Sequence, residues 1–149
     1  MKLKLGFLGL GAMGLSHVNS FAKLCADTVE IAAVCSSNKA NIQKTRQLAP
    51  HVRLHKNESE LIASPLDAVV VSTPNFTHLP LAREILAAGK HLFLEKPCGI
   101  NRDECRQLLD LSRQTDRVLM IGHELRYSAF FQKIKSLVDA GEIGAARMV

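Results

Sequence analysis

The 149 residues are 47% hydrophobic and carry a formal net charge of +5, enough apolar material for one ordinary domain, since a chain of this size buries about two-thirds of its unfolded surface. No run of about 18 apolar residues is present to span a bilayer, and Met1 to Gly6 leads straight into a strand pattern without a cleavable hydrophobic region, so a soluble, cytoplasmic protein with no membrane partner is expected. Five basic residues (Lys39, Lys44, Arg46, Arg53, Lys56) and no acidic one lie between Ile31 and Asn57, so the other 14 basic residues balance the 14 acidic ones; a local excess of this kind argues against a nucleic-acid-binding face.

Apolar runs alternate with helical segments, the pattern of βαβ units and a parallel sheet covered on both faces. Leu3–Leu8 reads as a first strand, followed by glycines and a helix from Ala12 to Cys25. Glu30–Cys35 is a second strand and Asn38–Leu48 a second helix, then a short third strand at Val52–Leu54 and a helical turn near Glu58–Ile62. A buried fourth strand at Asp67–Ser72 is stopped by Thr73-Pro74-Asn75, and a helix from His78 to Ala88 ends at Gly89, a residue that tolerates the left-handed conformation of a helix C-terminus. His91–Leu94 is a fifth strand. Asn101 can cap the next helix, with Asp103 and Glu104 in its first turn where the macrodipole favours acids. Val118–Ile121 is a sixth strand, Ser128–Ala140 a last amphipathic helix ended by Gly141, and Ala145–Val149 begins like a further strand. The expected architecture is α/β, a doubly wound parallel sheet of about six strands (a Rossmann fold), with ligands beyond the carboxyl ends of the strands.

Gly9-Leu10-Gly11-Ala12-Met13-Gly14 follows a strand and opens a helix, the context that makes a G-x-G-x-x-G loop a dinucleotide site. Gly9 would make the tight turn, Gly11 would let a pyrophosphate approach backbone N–H groups, and Gly14 would let helix pack on strand. NAD sites usually place a carboxylate at the end of the second strand. Here the chain reads Cys35-Ser36-Ser37-Asn38-Lys39. With no carboxylate to repel a 2′-phosphate, Ser36 and Ser37 to donate to it and Lys39 to neutralise it, NADP is preferred over NAD; alternatively the serines only cap the second helix.

Four cysteines, Cys25, Cys35, Cys98 and Cys105, include no C-x-x-C pair and suggest neither zinc nor disulfides but reduced, mostly packed thiols. Cys98 reads as a small buried hydrophobe. His17 is expected to pack or cap locally and His123 to be structural, and no metal site is expected.

The motifs Thr73-Pro74-Asn75 with His78, Ala87 to His91 running on to Glu95-Lys96-Pro97, and Arg126-Tyr127 with the Gly141–Gly144 turn resemble the Gfo/Idh/MocA family of oxidoreductases along essentially the whole chain. The resemblance implies that Thr73, Pro74, Asn75 and His78 line the cofactor and that Glu95 and Lys96 reach the nicotinamide ribose and the reacting carbon. It also implies that Lys96-Pro97 is often cis. Lys96 would act in catalysis, orienting the substrate oxygen and easing its proton transfer, unless it is only a surface lysine paired with Glu95. Arg126 would contact cofactor or substrate. Family members are about twice this length, and their second, α+β domain supplies the substrate pocket. Residues 1–124 are therefore expected to be the NAD(P)-binding domain, and 125–149 a connecting helix and the start of a truncated C-terminal domain. The expected function is the cofactor-binding half of an enzyme moving a hydride to or from a sugar or cyclitol carbon. A non-catalytic nucleotide sensor of the same fold is the alternative, and self-association is left open.

Overall fold

Short runs of Val, Leu and Ile favour strands buried on both faces, and six such runs form one sheet in the computed structural model, which describes residues 1–145 and 147. In chain order the elements are β1 (Leu3–Leu8), α1 (Ala12–Leu24), β2 (Val29–Cys35), α2 (Lys39–Leu48), β3 (Arg53–Leu54), α3 (Glu58–Ala63), β4 (Ala68–Val71), α4 (His78–Ala87), β5 (His91–Leu94), α5 (Arg102–Arg113), β6 (Leu119–Ile121) and α6 (Ala129–Asp139). Short 3₁₀ turns occupy Asn75–Thr77 and Glu124–Tyr127.

All strand pairs are parallel, in the order β3-β2-β1-β4-β5-β6. The chain winds outward from β1 to β3, then returns beside β1 as β4 and winds the other way. Neighbouring connections therefore leave β1 and β4 toward opposite faces, and a crevice opens beyond their carboxyl ends. Leu8 pairs with both Cys35 and Val71, so Gly9, Ser36 and Ser72 reach the rim together.

Alternation along the strands sorts the core into two layers. Phe7, Val34 and Val70 pack with Val18, Phe21 and Ile42 of α1 and α2. On the other face, Leu8, Val69, Val71 and Leu94 pack with Leu61 of α3, Ile85 of α4 and Leu108 of α5. Asn38, Asn57 and Asn101 cap α2, α3 and α5, each accepting the N–H three residues on, from Asn41 (3.1 Å), Glu60 (2.9 Å) and Glu104 (2.9 Å). Gly89 and Gly141 follow α4 and α6 with φ of 71° and 74°, the left-handed geometry expected of them.

Element boundaries differ from the sequence expectation by a residue or two. The fourth strand is a residue shorter at each end than expected; there the Asp67 carboxylate accepts the Lys4 N–H (2.7 Å) and the Ser72 hydroxyl donates to the Gly9 carbonyl (2.8 Å). Of the strand expected over Ala145–Val149, Ala145 and Arg147 are not in a strand, and residues 146, 148 and 149 lie outside the described residues. No helix among the described residues is long and apolar enough to cross a membrane.

Phe7 is fully buried and meets Phe21 edge-on at 6.1 Å. Phe7→Ala is expected to destabilise the fold by about 3–5 kcal/mol, read as a lowered midpoint in urea unfolding at unchanged slope.

Candidate cofactor site

The glycine loop is built by close contacts that leave one side open. Gly9 has φ of 85°, and a Cβ there would lie 2.7 Å from the Ser72 carbonyl oxygen. At Gly14 a Cβ would lie 2.2 Å from the Gly9 carbonyl oxygen, so only glycine lets α1 sit this close to the end of β1. A Cβ on Gly11 would meet nothing within 4 Å: the space above it is free, a cradle into which a pyrophosphate fits. No side chain caps α1 and no acid occupies its first turn, so the N–H groups from Ala12 onward face an anion without competition. Ala12 and Met13 contribute this backbone; both side chains are exposed.

Leu10 pins the loop. Its side chain is fully buried, its N–H donates to Ser36 Oγ (3.3 Å) and its carbonyl accepts from Asn41 Nδ2 (2.7 Å).

A cleft of about 650 Å³ runs from this loop to the ends of β2 and β4. Ser36 and Ser37 line it as expected. Ser36 Oγ accepts the N–H of Leu10 and of Asn38 (3.1 Å), which leaves its own proton to donate; the cap of α2 is Asn38, not either serine. Lys39 is exposed at the start of α2 and does not line the cleft. Its place is taken by Lys56, from the basic stretch that follows it, and by Glu58, the first residue of α3, which sequence alone did not bring to the site. The premise that this end of the site lacks a carboxylate is therefore corrected: Glu58 brings one from a distant segment. Its charge reaches Cys35, whose thiol is pushed up first by burial and then by Glu58 and Glu60, so Cys35 stays a neutral packed thiol.

Thr73 and Pro74 line the same cleft after β4. Thr77 donates to the Pro74 carbonyl (2.7 Å), so in the Thr73–Thr77 hydroxyl pair (2.6 Å) Thr73 is the donor. Asn75 is exposed and begins the 3₁₀ turn. His78 does not present a free nitrogen to the cleft. It is 1% exposed, with Nδ1 2.8 Å from the Pro97 carbonyl oxygen and Nε2 3.1 Å from that of Thr73, and it clamps the two loops that leave β4 and β5.

At the end of β5 the expectation for His17 is overturned. Its Nε2 lies 2.6 Å from Glu95 Oε1, and its ring meets Phe93 edge-on at 5.0 Å. Glu95 is 4% exposed, and its second oxygen accepts the Lys96 N–H (3.1 Å). A buried carboxylate needs such donors. Gly122 makes room for it, since a Cβ there would lie 3.3 Å from Glu95 Oε1. Among the described residues Glu95 is thus paired with His17 rather than with the Lys96 ammonium. Lys96 is exposed and lines a hollow of about 200 Å³ with His123 and Arg126, so the loops that follow β5 and β6 share one hollow. The Lys96–Pro97 bond is cis.

Residues 3–123 match the oxidoreductase family with an NAD-binding Rossmann fold known as Gfo/Idh/MocA; the chain belongs to this family. Among similar proteins are a glycosyl hydrolase family 109 protein of Shewanella sp. (strain W3-18-1), 29% identical over 95% of this chain and 33% of its own, and an alpha-N-acetylgalactosaminidase of Shewanella oneidensis, 30% identical with the same coverage. The crystal structure of scyllo-inositol dehydrogenase from Lactobacillus casei with bound NAD(H) and scyllo-inositol superposes with a TM-score of 0.85 at 26% identity, covering 97% of this chain and 43% of that one. The chain thus spans about a third of the length of these curated relatives.

Gly11→Val is expected to keep the thermal midpoint while abolishing NADH binding, because the added carbons fill the cradle alone; Gly14→Ala is expected to lower the midpoint itself. His17→Ala leaves one Glu95 oxygen buried without its donor and is expected to reduce stability by about 1–3 kcal/mol, with His17→Gln recovering part of it, both measured by chemical denaturation.

Proposed function

We propose that this chain holds NAD(H) across the crevice between β1 and β4, for hydride transfer at a carbinol or carbonyl carbon of a sugar or cyclitol. The single observation that carries the reading is the hollow in which Lys96 meets His123 and Arg126 while the neighbouring Glu95 is spent on His17. The dinucleotide, when bound, supplies hydride acceptance or donation at its nicotinamide ring. The chain supplies the rest. Gly11 and the start of α1 take the pyrophosphate, and Ser36 and Ser37 take the adenosine ribose. Lys96 Nζ donates a hydrogen bond to the substrate oxygen, orienting it and easing the loss of its proton on oxidation and its return on reduction. Arg126, a fixed positive charge at the same hollow, orients polar groups of the substrate.

NAD(H) is preferred here over NADP(H) because Glu58 can accept from ribose hydroxyls and repel a 2′-phosphate, against the pull of Lys56, which lines the same cleft. The substrate class draws on two relatives whose names contain polyhydroxylated rings, an inositol and an N-acetylgalactosamine. Residues 1–124 are read as the unit that holds the cofactor and 125–149 as the segment leading away from it.

Titration with NADH and NADPH, followed by fluorescence, is expected to give tighter binding of NADH; a clearly tighter NADPH would reverse the assignment to Glu58, and binding of neither would sink the proposal. In an NAD⁺ reduction assay over inositols and N-acetylhexosamines, made on a protein in which this chain is joined to the second domain that supplies the substrate pocket, Lys96→Ala is expected to lose turnover while keeping NADH affinity within a few-fold. Binding without turnover on any substrate, in a protein that carries that second domain, would favour a nucleotide sensor.

A further inference from the structure

Two thiols outside the dinucleotide cleft face each other beside the loop that carries Lys96. Cys98 Sγ lies 3.4 Å from Cys105 Sγ, and both residues are half-buried, so small solutes reach them. Their approach is fixed by the structure around them. The Glu104 carboxylate folds back to accept the Ile100 N–H (3.0 Å) while its own N–H is taken by Asn101 (2.9 Å), which clamps residues 100–104 into one turn. Gly99 lies so close to α5 that a Cβ would stand 2.8 Å from Glu104 Cβ and 3.3 Å from Cys105 Sγ. On the other side of Cys98, the Pro97 carbonyl is held by His78.

We propose that Cys98 and Cys105 form a covalent modification site, a dithiol that a peroxide closes to an intrachain disulfide, stiffening the loop that carries Lys96. The sulfurs have only to contract from 3.4 Å to about 2.05 Å. One sulfur attacks a peroxide oxygen and becomes a sulfenic acid, the O–O bond breaks, and the departing hydroxide takes up that thiol's proton as water. The second sulfur then attacks the sulfenic sulfur, the S–S bond forms, and the hydroxyl leaves with the second thiol's proton as a second water. Two electrons pass from the sulfurs to the peroxide, and a dithiol reductant reverses the change. At rest the reduced form is favoured kinetically, because burial first and the contact with Cys105 second hold the Cys98 thiol above the ordinary range and thiolate is the attacking species. The bond stands on the sulfur geometry alone; its meaning for catalysis rests on the role proposed for Lys96.

The test is hydrogen peroxide treatment of the reduced chain, with thiols counted under denaturing conditions. The free thiols are expected to fall from four to two, peptide mapping to show a Cys98–Cys105 link lighter by two hydrogens, and dithiothreitol to restore all of them. Amide hydrogen exchange over residues 96–105 is expected to slow in the oxidised protein, and Cys105→Ser is expected to abolish both the link and the slowing. Four persisting thiols, oxidation of either sulfur to a sulfinic acid without a link, a link to Cys25, Cys35 or a second chain, or unchanged exchange over 96–105 would each overturn the proposal. Because the mapping and exchange are made on the unsubstituted protein, a variant that does not fold leaves the result intact.

Discussion

The approach of α1 to the end of β1 is the constraint on which the rest of the site depends. A Cβ on Gly14 would stand 2.2 Å from the Gly9 carbonyl oxygen, so the helix lies as near the sheet as backbone atoms allow. That proximity sets the first-turn N–H groups at the mouth of the crevice between β1 and β4, where a helix N-terminus favours negative charge. The loop has little freedom to drift from this position. Ser72 holds Gly9 from β4, Ser36 and Asn41 hold Leu10 from β2 and α2, and the Leu10 side chain is sunk in the core.

The same helix also fixes the opposite end of the site. One turn beyond Gly14, His17 reaches the buried Glu95 carboxylate after β5, and the other oxygen of that carboxylate holds the Lys96 N–H. A single rigid element therefore presents donors to an anion at its start and braces the lysine loop from its second turn. With Glu95 engaged by His17, its charge is directed into the interior, and the Lys96 ammonium is left to the hollow it shares with Arg126. His78 adds a second brace, joining the Thr73 and Pro97 carbonyls across neighbouring loops.

The end of the cleft beside β2 shows how a charge decision can lie outside the segment that seems to make it. Read along the chain, the end of β2 offers two serines and a lysine. In space, Lys39 is exposed and does not line the cleft, while Lys56 and the first residue of α3, Glu58, do. Lys90 gives a structural counterpart: buried after α4, its ammonium donates to the Ser64 and Leu66 carbonyls (2.8 and 3.1 Å) and secures the turn into β4, although the sequence marks it only as part of a family motif.

The sequence by itself determined the order of the strands and helices along the chain, the Asn101 cap, the glycine loop and the two loops that carry Thr73 and Lys96. These follow from short-range rules: alternation of side chains on a strand, the reach of a capping asparagine over three residues, the left-handed geometry open to glycine. Only the tertiary structure decided the pairing of His17 with Glu95, the arrival of Glu58 at the cleft in place of Lys39, the burial of His78 and the meeting of Cys98 with Cys105. His17 and Glu95 stand 78 positions apart, and which of the charged residues elsewhere on the chain is carried to a given strand end depends on how the sheet is wound. Even Cys98 and Cys105, seven positions apart, meet only because a turn clamped by Glu104 folds one loop back onto the helix that follows it. Local periodicity records neither the winding nor the fold-back, because both are settled by packing between elements.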